Sequence, residues 1–314
     1  MQETNMTSLA LQKLPDRIAA ACVNAASLFG GQIDEIRLRR NSPASITVRG
    51  TNVTLPITAT DAEIENTVRA FCDASLYTHA ETIREGFIAS RSGFRVGIVG
   101  RAVVRDGKIS SVADVTALNV RIPRRVPGCA DTAYDIMQSE DFSRGLLVWS
   151  PPGIGKTTFL RELALRLASG TNAKRVAVVD TRSELASGIA DAGLADVLTG
   201  YPRAKGIEIA RRTLAAEIVV CDEIGNADDA EAILDAHRSG ITVAASAHAA
   251  SLGTLLASPH MAILRDRGVF GTYYGLISQR PGGYVCDIKL YRDGEKRIAS
   301  DSVAGSTEPE AVLA

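Results

Sequence analysis

The chain has 314 residues and a formal net charge of −1, with 23% charged, 46% hydrophobic and 5% aromatic residues. That balance excludes an overall electrostatic grip on nucleic acid or an anionic membrane, and the length allows two domains with cores of their own. Aliphatics far outnumber aromatics, which suits helices packed on a parallel sheet, and the five cysteines (Cys22, Cys72, Cys129, Cys221, Cys286) lack C-x-x-C spacing and read as reduced thiols of a cytosolic protein.

Taken in chain order, the run 18–26 is apolar enough to suggest a secretory core. Glu3 and Asp16 precede it where a positive segment is needed, and Asn24 interrupts it, so it reads as an amphipathic helix. No apolar stretch approaches the ~18–20 residues of a membrane span. Residues 33–39 alternate apolar and charged side chains as a half-buried strand does, and 45–49 reads as a strand running into a turn at 50–52. Asp61 is expected to cap a helix with Ile64, Val68 and Phe71 on one face. Segments 93–101 and 102–108 suggest further strands with Asp106-Gly107 as a turn, and 119–125 reads as an edge strand leading into a linker. These elements define an expected α+β domain over residues 1–128.

From about residue 130 the rhythm becomes strand, helix, strand, helix, the pattern of a parallel sheet. Expected strands lie at 145–149, 175–180, 217–222 and 241–246, followed by a hairpin of 273–278 and 284–290 turning through Pro281-Gly282-Gly283. The fold class is therefore α/β, a P-loop domain with a parallel-sheet core over 129–298, preceded by the smaller α+β domain. The tail 299–314 is small, polar and acidic, and is expected to be disordered.

The segment Ser150-Pro151-Pro152-Gly153-Ile154-Gly155-Lys156-Thr157-Thr158 joins an apolar strand to a helix. Strand, glycine loop and helix form the context of a P-loop, in which backbone N–H groups and the helix N-terminus cradle the phosphates of ATP. Pro152, Gly153, Ile154, Gly155, Lys156, Thr157 and Thr158 are the expected nucleotide-binding residues. Lys156 would reach the β- and γ-phosphates, and Thr157 would place its hydroxyl on Mg²⁺. Ser150 stands where the pattern wants glycine, a mild departure that a negative φ accommodates.

Residues 217–221 are a largely apolar strand ending in Asp222 and Glu223. At a strand's C-terminal edge Asp222 would hold the magnesium water shell beside Thr157, and Glu223 would polarise the attacking water. Between the two motifs lies an extra strand, 175–180, and a strand inserted between the lysine and aspartate strands marks P-loop enzymes with their own catalytic glutamate. Glu184, four residues past that strand, therefore competes with Glu223 for the role. Ser246-Ala247-His248-Ala249 closes the strand 241–246 and places His248 at its C-terminal edge as a candidate γ-phosphate sensor, whereas His79, His237 and His260 have no such setting. Arg101, Arg121, Arg124, Arg125, Arg211 and Arg212 form a set from which one arginine could act on a neighbouring subunit's γ-phosphate.

In order, the chain carries Ile33-Asp34-Glu35-Ile36-Arg37-Leu38-Arg39, Gly93-Phe94-Arg95-Val96-Gly97, the P-loop, Asp180-Thr181-Arg182-Ser183-Glu184-Leu185 and Cys221-Asp222-Glu223-Ile224-Gly225. Over about residues 10 to 295 this resembles the stage III sporulation protein AA family of endospore-forming bacteria, itself similar to the traffic ATPases of type II and type IV secretion. The resemblance implies a RecA-like motor domain behind an N-terminal domain, working as a homo-oligomeric ring, a hexamer. It also implies ATP hydrolysis in the mother-cell cytoplasm, energising a secretion-like channel complex whose membrane proteins are the partners; no nucleic acid is expected. The family usually has Gly at Ser150 and Glu at Thr181, which leaves Asp180 and Glu184 as the acids of that box and favours Glu223 for catalysis. A secretion or pilus ATPase outside sporulation, a nucleic-acid motor and a nucleotide-gated scaffold without turnover remain the alternatives.

Overall fold

A computed structural model describes residues 6–290, apart from 91–92, 124, 187–188, 190–192 and 281–282. The expected disordered tail, Arg124 and the turn residues Pro281 and Gly282 lie outside the described residues. The described chain forms two compact units, the first chiefly of residues before 125 and the second chiefly of those from Arg125 on.

In the first unit, helices α1 (Met6–Gln12) and α2 (Asp16–Leu28) precede strands β1 (Ile33–Arg39), β2 (Ser42–Val48) and β3 (Thr51–Thr58). Helix α3 (Asp61–Phe71), a 3-10 turn (Tyr77–His79) and α4 (Ala80–Arg84) lead to β4 (Phe87–Ala89), β5 (Arg95–Arg105) and β6 (Lys108–Arg121). The strands form one sheet ordered β3-β2-β1-β6-β5-β4, with each neighbouring pair antiparallel. Alternation in β1 works as read: Ile36 and Leu38 enter a core shared with Ile18, Ile64 and Phe71, while Arg37 stays exposed.

Three expectations are corrected here. Thr60, not Asp61, caps α3, through a capping box with Glu63. Residues 93–101 and 102–108 are not two strands: β5 runs unbroken from 95 to 105, and the reversal comes at Asp106 and Gly107, whose positive φ values of 51° and 73° suit a two-residue hairpin. The strand read at 119–125 is the end of β6 and lies in the middle of the sheet between β1 and β5, not at its edge.

The second unit contains α5 (Asp131–Ser139), β7 (Gly145–Ser150), α6 (Lys156–Leu167), β8 (Val176–Asp180), β9 (Ala195–Thr199), α7 (Arg203–Thr213), β10 (Ile218–Glu223), α8 (Ala227–Arg238), β11 (Thr242–His248), α9 (Leu252–Leu256), α10 (Pro259–Asp266), β12 (Phe270–Arg280) and β13 (Gly283–Leu290). Its sheet is ordered β13-β12-β7-β11-β10-β8-β9, parallel except for the β12–β13 hairpin. Side chains alternate between two cores: Leu146, Val148 and Val220 pack with α5 and α6, and Leu147, Trp149 and Val219 pack with α7, α8 and α10. Burial on both faces explains why these strands read as continuous apolar runs. Strand β9 was not anticipated.

The order also changes the meaning of the inserted strand. In sequence β8 falls between the lysine and aspartate strands, but in space the strand between β7 and β10 is β11, and β8 lies beyond β10. The residues interposed between the P-loop and the Asp222-Glu223 pair are thus those of β11, ending in His248.

Candidate active site around the phosphate loop

Strand β7 is buried throughout and hands the chain to the loop at Ser150. Ser150 has no exposed surface, is not among the residues with positive φ, and donates its hydroxyl to Pro151 O at 2.7 Å. Serine therefore fits the position where the motif wants glycine. Gly153 and Gly155 take φ values of 81° and 114°, which L side chains rarely adopt. Pro152 and Gly153 are exposed at the loop's tip, and Ile154, Gly155, Thr157 and Thr158 are half-buried. Helix α6 begins at Lys156 with Gly155 as its N-cap and no side-chain cap, so its first N–H groups face the loop without an internal acceptor. Twelve residues of helix behind that end favour an anion.

Lys156 is 7% exposed, and its Nζ lies 3.3 Å from both Ser150 O and Ser150 Oγ and 2.7 Å from His248 Nδ1. Burial pushes its ammonium down to about 8, against a smaller upward pull from Glu223. His248 Nε2 lies 3.2 Å from Glu223 Oε2. An ammonium can only donate, so Nδ1 accepts from Lys156, and the ring proton sits on Nε2 and is donated to Glu223. Register explains the chain of contacts: His248 is paired with Ser150 across β7–β11, and Ser246 with Glu223 across β10–β11. Arg182, largely exposed, adds a loose contact to Glu223 at 3.6 Å.

Asp222 faces a different partner. Arg203, at the start of α7, donates Nε at 2.9 Å and a terminal nitrogen at 2.7 Å to Asp222 Oδ1, and its other terminal nitrogen to Asp229 Oδ2 at 2.5 Å. Asp229 also accepts from Gly225 N at 3.1 Å, which ties the β10–α8 turn into the same cluster. Burial raises the Asp222 carboxyl and Arg203 opposes the rise; for Arg203 burial lowers the guanidinium, and its neighbours, Asp222 foremost and Asp229 among them, together more than offset it. All three side chains are nearly buried, so the arrangement is a closed charge cluster rather than a surface pair.

The other acid box is built differently. Asp180 is fully buried and accepts from Glu184 N and Leu185 N, both at 2.9 Å, with Ser183 in the left-handed region (φ 57°) turning the chain between them. Arg161 of α6 donates to the Glu184 carbonyl oxygen. Asp180 thus organises a turn, and Glu184 follows a strand two places from β11 on the far side of β10. Thr181, at the position where a glutamate is usual, has a buried hydroxyl with no hydrogen-bond partner among the described residues.

The candidate trans-acting arginines are dispersed. Arg101 pairs with Asp114 at 2.8 Å, Arg121 with Glu35 at 3.8 Å, Arg125 with Glu162 at 3.4 Å and Arg212 with Glu208 at 2.8 Å. Sequence reasoning missed Arg203, and it missed Gln279 and Tyr284, whose side chains donate to Ile154 O at 2.6 Å and Gly155 O at 3.1 Å. None of the three belongs to a local pattern that would have revealed it. Among the described residues no group of three or more His, Cys, Asp and Glu gathers as a metal site, and no helix is long and apolar enough to cross a membrane. A loop of left-handed glycines, an uncapped helix start, a threonine hydroxyl and a nearby carboxylate nonetheless form a donor set that fits a nucleotide with Mg²⁺, which takes few protein ligands besides phosphate oxygens and water.

Comparison with known proteins bears on the fold and on the family. The crystal structure of the Legionella pneumophila ATPase DotB shares the fold with a TM-score of 0.57 at 14% identity, over 88% of this chain and 80% of that one. The pilus retraction motor PilT with bound ADP gives a TM-score of 0.55 at 14% identity, over 88% and 83%. The stage III sporulation protein AA of Bacillus subtilis is 31% identical over 266 residues, 82% of this chain and 86% of the relative. Since the family described as sporulation stage III, protein AA also matches residues 12–296, the chain belongs to that family.

Proposed function

We propose that the chain is a Mg²⁺-dependent ATP hydrolase whose turnover drives a secretion-like assembly. The observation that carries this reading is the continuous contact Lys156–His248–Glu223 beside the uncapped start of α6. The backbone of 153–157 would bind the phosphates, with Lys156 exchanging Ser150 and His248 for phosphate oxygens. Thr157 and Asp222 would hold the cation, with Asp222 Oδ2 available because both Arg203 contacts fall on Oδ1. When bound, Mg²⁺ supplies charge neutralisation on the phosphate oxygens. Glu223 would accept a hydrogen bond from the attacking water as its oxygen bonds the γ-phosphorus and the bond to the β-phosphate oxygen breaks. His248, touching both Lys156 and Glu223, would report the loss of the γ-phosphate.

Membership of the family, and a fold shared with an ATPase and a pilus motor, support a ring of subunits, six in number, acting in the mother-cell cytoplasm on the membrane proteins of a sporulation channel complex. The Arg203 cluster on Asp222 favours one further reading, a nucleotide-gated scaffold that binds without turnover. The test is ATP turnover by the purified protein with Mg²⁺, beside Lys156→Ala. Turnover that disappears in the variant supports the enzyme, nucleotide binding without turnover supports the scaffold, and no binding at all overturns both.

A further inference from the structure

We propose that Gln279 and Tyr284, from the hairpin β12–β13, are positioning residues that hold two consecutive peptide planes of the phosphate loop so that their N–H groups face the nucleotide. The proposal rests on the ATP-binding reading above and adds to it a part of the chain more than a hundred residues away. Strand β12 pairs with β7 only as far as Gly275, opposite Trp149. The four further residues to Gln279 carry the strand ~13 Å beyond that pairing at ~3.3 Å per residue, past the end of β7 and alongside the loop. Gln279 and Tyr284 are directly opposite each other in the hairpin, so both side chains leave the same face.

Gln279 Nε2 donates to Ile154 O at 2.6 Å, and the Tyr284 hydroxyl donates to Gly155 O at 3.1 Å. A trans peptide unit is planar, with C=O and N–H pointing in opposite directions. Anchoring the Ile154 carbonyl on the hairpin therefore turns the Gly155 N–H away from it, and anchoring the Gly155 carbonyl does the same for the Lys156 N–H. No hydrogen bond among the described residues uses either amide. Both lie where a phosphate cradle needs its donors. Gly155 O also accepts the first helical bond, from Phe159 N at 3.0 Å, so the tyrosine joins loop and helix at one atom.

The hydroxyl is held from behind. The Tyr284 ring meets Phe159 edge-on with centroids 6.0 Å apart, and Phe159 packs on Tyr274 at 4.9 Å. The approach is close enough that a Cβ at Gly155 would stand 2.5 Å from the Tyr284 oxygen and 3.1 Å from Gln279 Nε2. A side chain at 155 would therefore have to displace the Tyr284 hydroxyl as well as adopt a φ that L residues rarely take. Burial pushes the Tyr284 phenol well above its usual range, which keeps it a donor.

The test uses Gln279→Ala, which removes an exposed side chain, and Tyr284→Phe, which keeps the ring and removes the hydroxyl. Two quantities are measured in the full chain: the NMR order parameters of the 153–157 backbone amides without nucleotide, and the dissociation constant of a fluorescent ATP analogue with Mg²⁺. Lower order parameters confined to the loop and ~3- to 10-fold weaker binding in each variant, with turnover at saturation within ~2-fold, is the expected result for a lost positioning bond. Gln279→Lys, which restores a donor, should recover part of the affinity. Unchanged order parameters, or lower order parameters with unchanged affinity, overturn the proposal. Should the unaltered chain bind no nucleotide, the ATP reading fails, and the order parameters alone decide whether the hairpin holds the loop.

Discussion

At the C-terminal end of β8, Asp180 is fully buried and uses both carboxylate oxygens to bind the backbone of the turn that follows. At the C-terminal end of β10, Glu223 is partly exposed and joined through His248 to the buried Lys156. The two acids have similar surroundings in sequence, each at the end of an apolar strand. They differ in what lies beside the strand: β10 touches β11, which touches β7, while β8 touches β10 and β9. A buried carboxylate whose two oxygens are both spent on the backbone of its own turn is a structural group, and one that shares a chain of hydrogen bonds with the P-loop lysine can act on what that lysine binds.

Replacing Glu223 should give the largest effect on chemistry. Glu223→Gln is expected to bind the ATP analogue normally and to lower turnover by about 10³-fold, the range of a lost general base. Normal hydrolysis by this variant, with a collapse in Glu184→Gln, would reverse the roles of the two strand ends. Next comes Arg203→Ala, which leaves Asp222 and Asp229 without their shared cation in a nearly buried cluster. Denaturant unfolding should show a loss of about 3–5 kcal/mol, and a loss under 1 kcal/mol would mean that water reaches the two acids.

Asp180→Ala tests the other strand end. It strips the acceptor from two backbone N–H groups and should cost about 2–3 kcal/mol of stability, while any protein that folds should keep most of its turnover. Smaller still is the dependence on pH. The Lys156 ammonium is pushed by burial to about 8 from 10.5, so between those values the unfolded chain binds more protons and the nucleotide-free protein gains stability from this group as pH rises. Nucleotide needs the charged form, so affinity should fall as pH rises through about 8, about 10-fold from pH 7 to pH 9. A flat profile would place the Lys156 titration outside that window. Glu184→Gln, at the far side of the sheet, is expected to change turnover by no more than about 2-fold.

Much of this was legible without coordinates. The strand–helix alternation after residue 130 gives the parallel sheet, the P-loop reads from its flanking strand and helix, and the strands β8, β10 and β11 are all legible, with their C-terminal ends placed to within two residues. Strand β9 was missed because Ala195–Thr199 is short and only half-buried, so it carries no apolar run. Arg203 lies 19 residues before Asp222, and Gln279 and Tyr284 lie 125 and 129 residues after the carbonyls they hold, distances at which no helical or strand period relates two residues.

The sequence by itself determined what depends on near neighbours along the chain: the periods of helices and strands, the left-handed glycines of the loop, and the acids at strand ends. These follow from φ/ψ sterics and side-chain alternation over a few residues. Only the tertiary structure decided which strand lies beside which. That set β11 between β7 and β10, joined His248 to both Lys156 and Glu223, closed Arg203 on Asp222 and carried the C-terminal hairpin onto the phosphate loop. Strand pairing joins residues far apart in sequence through backbone groups that every residue shares, so the local pattern carries no record of the partner.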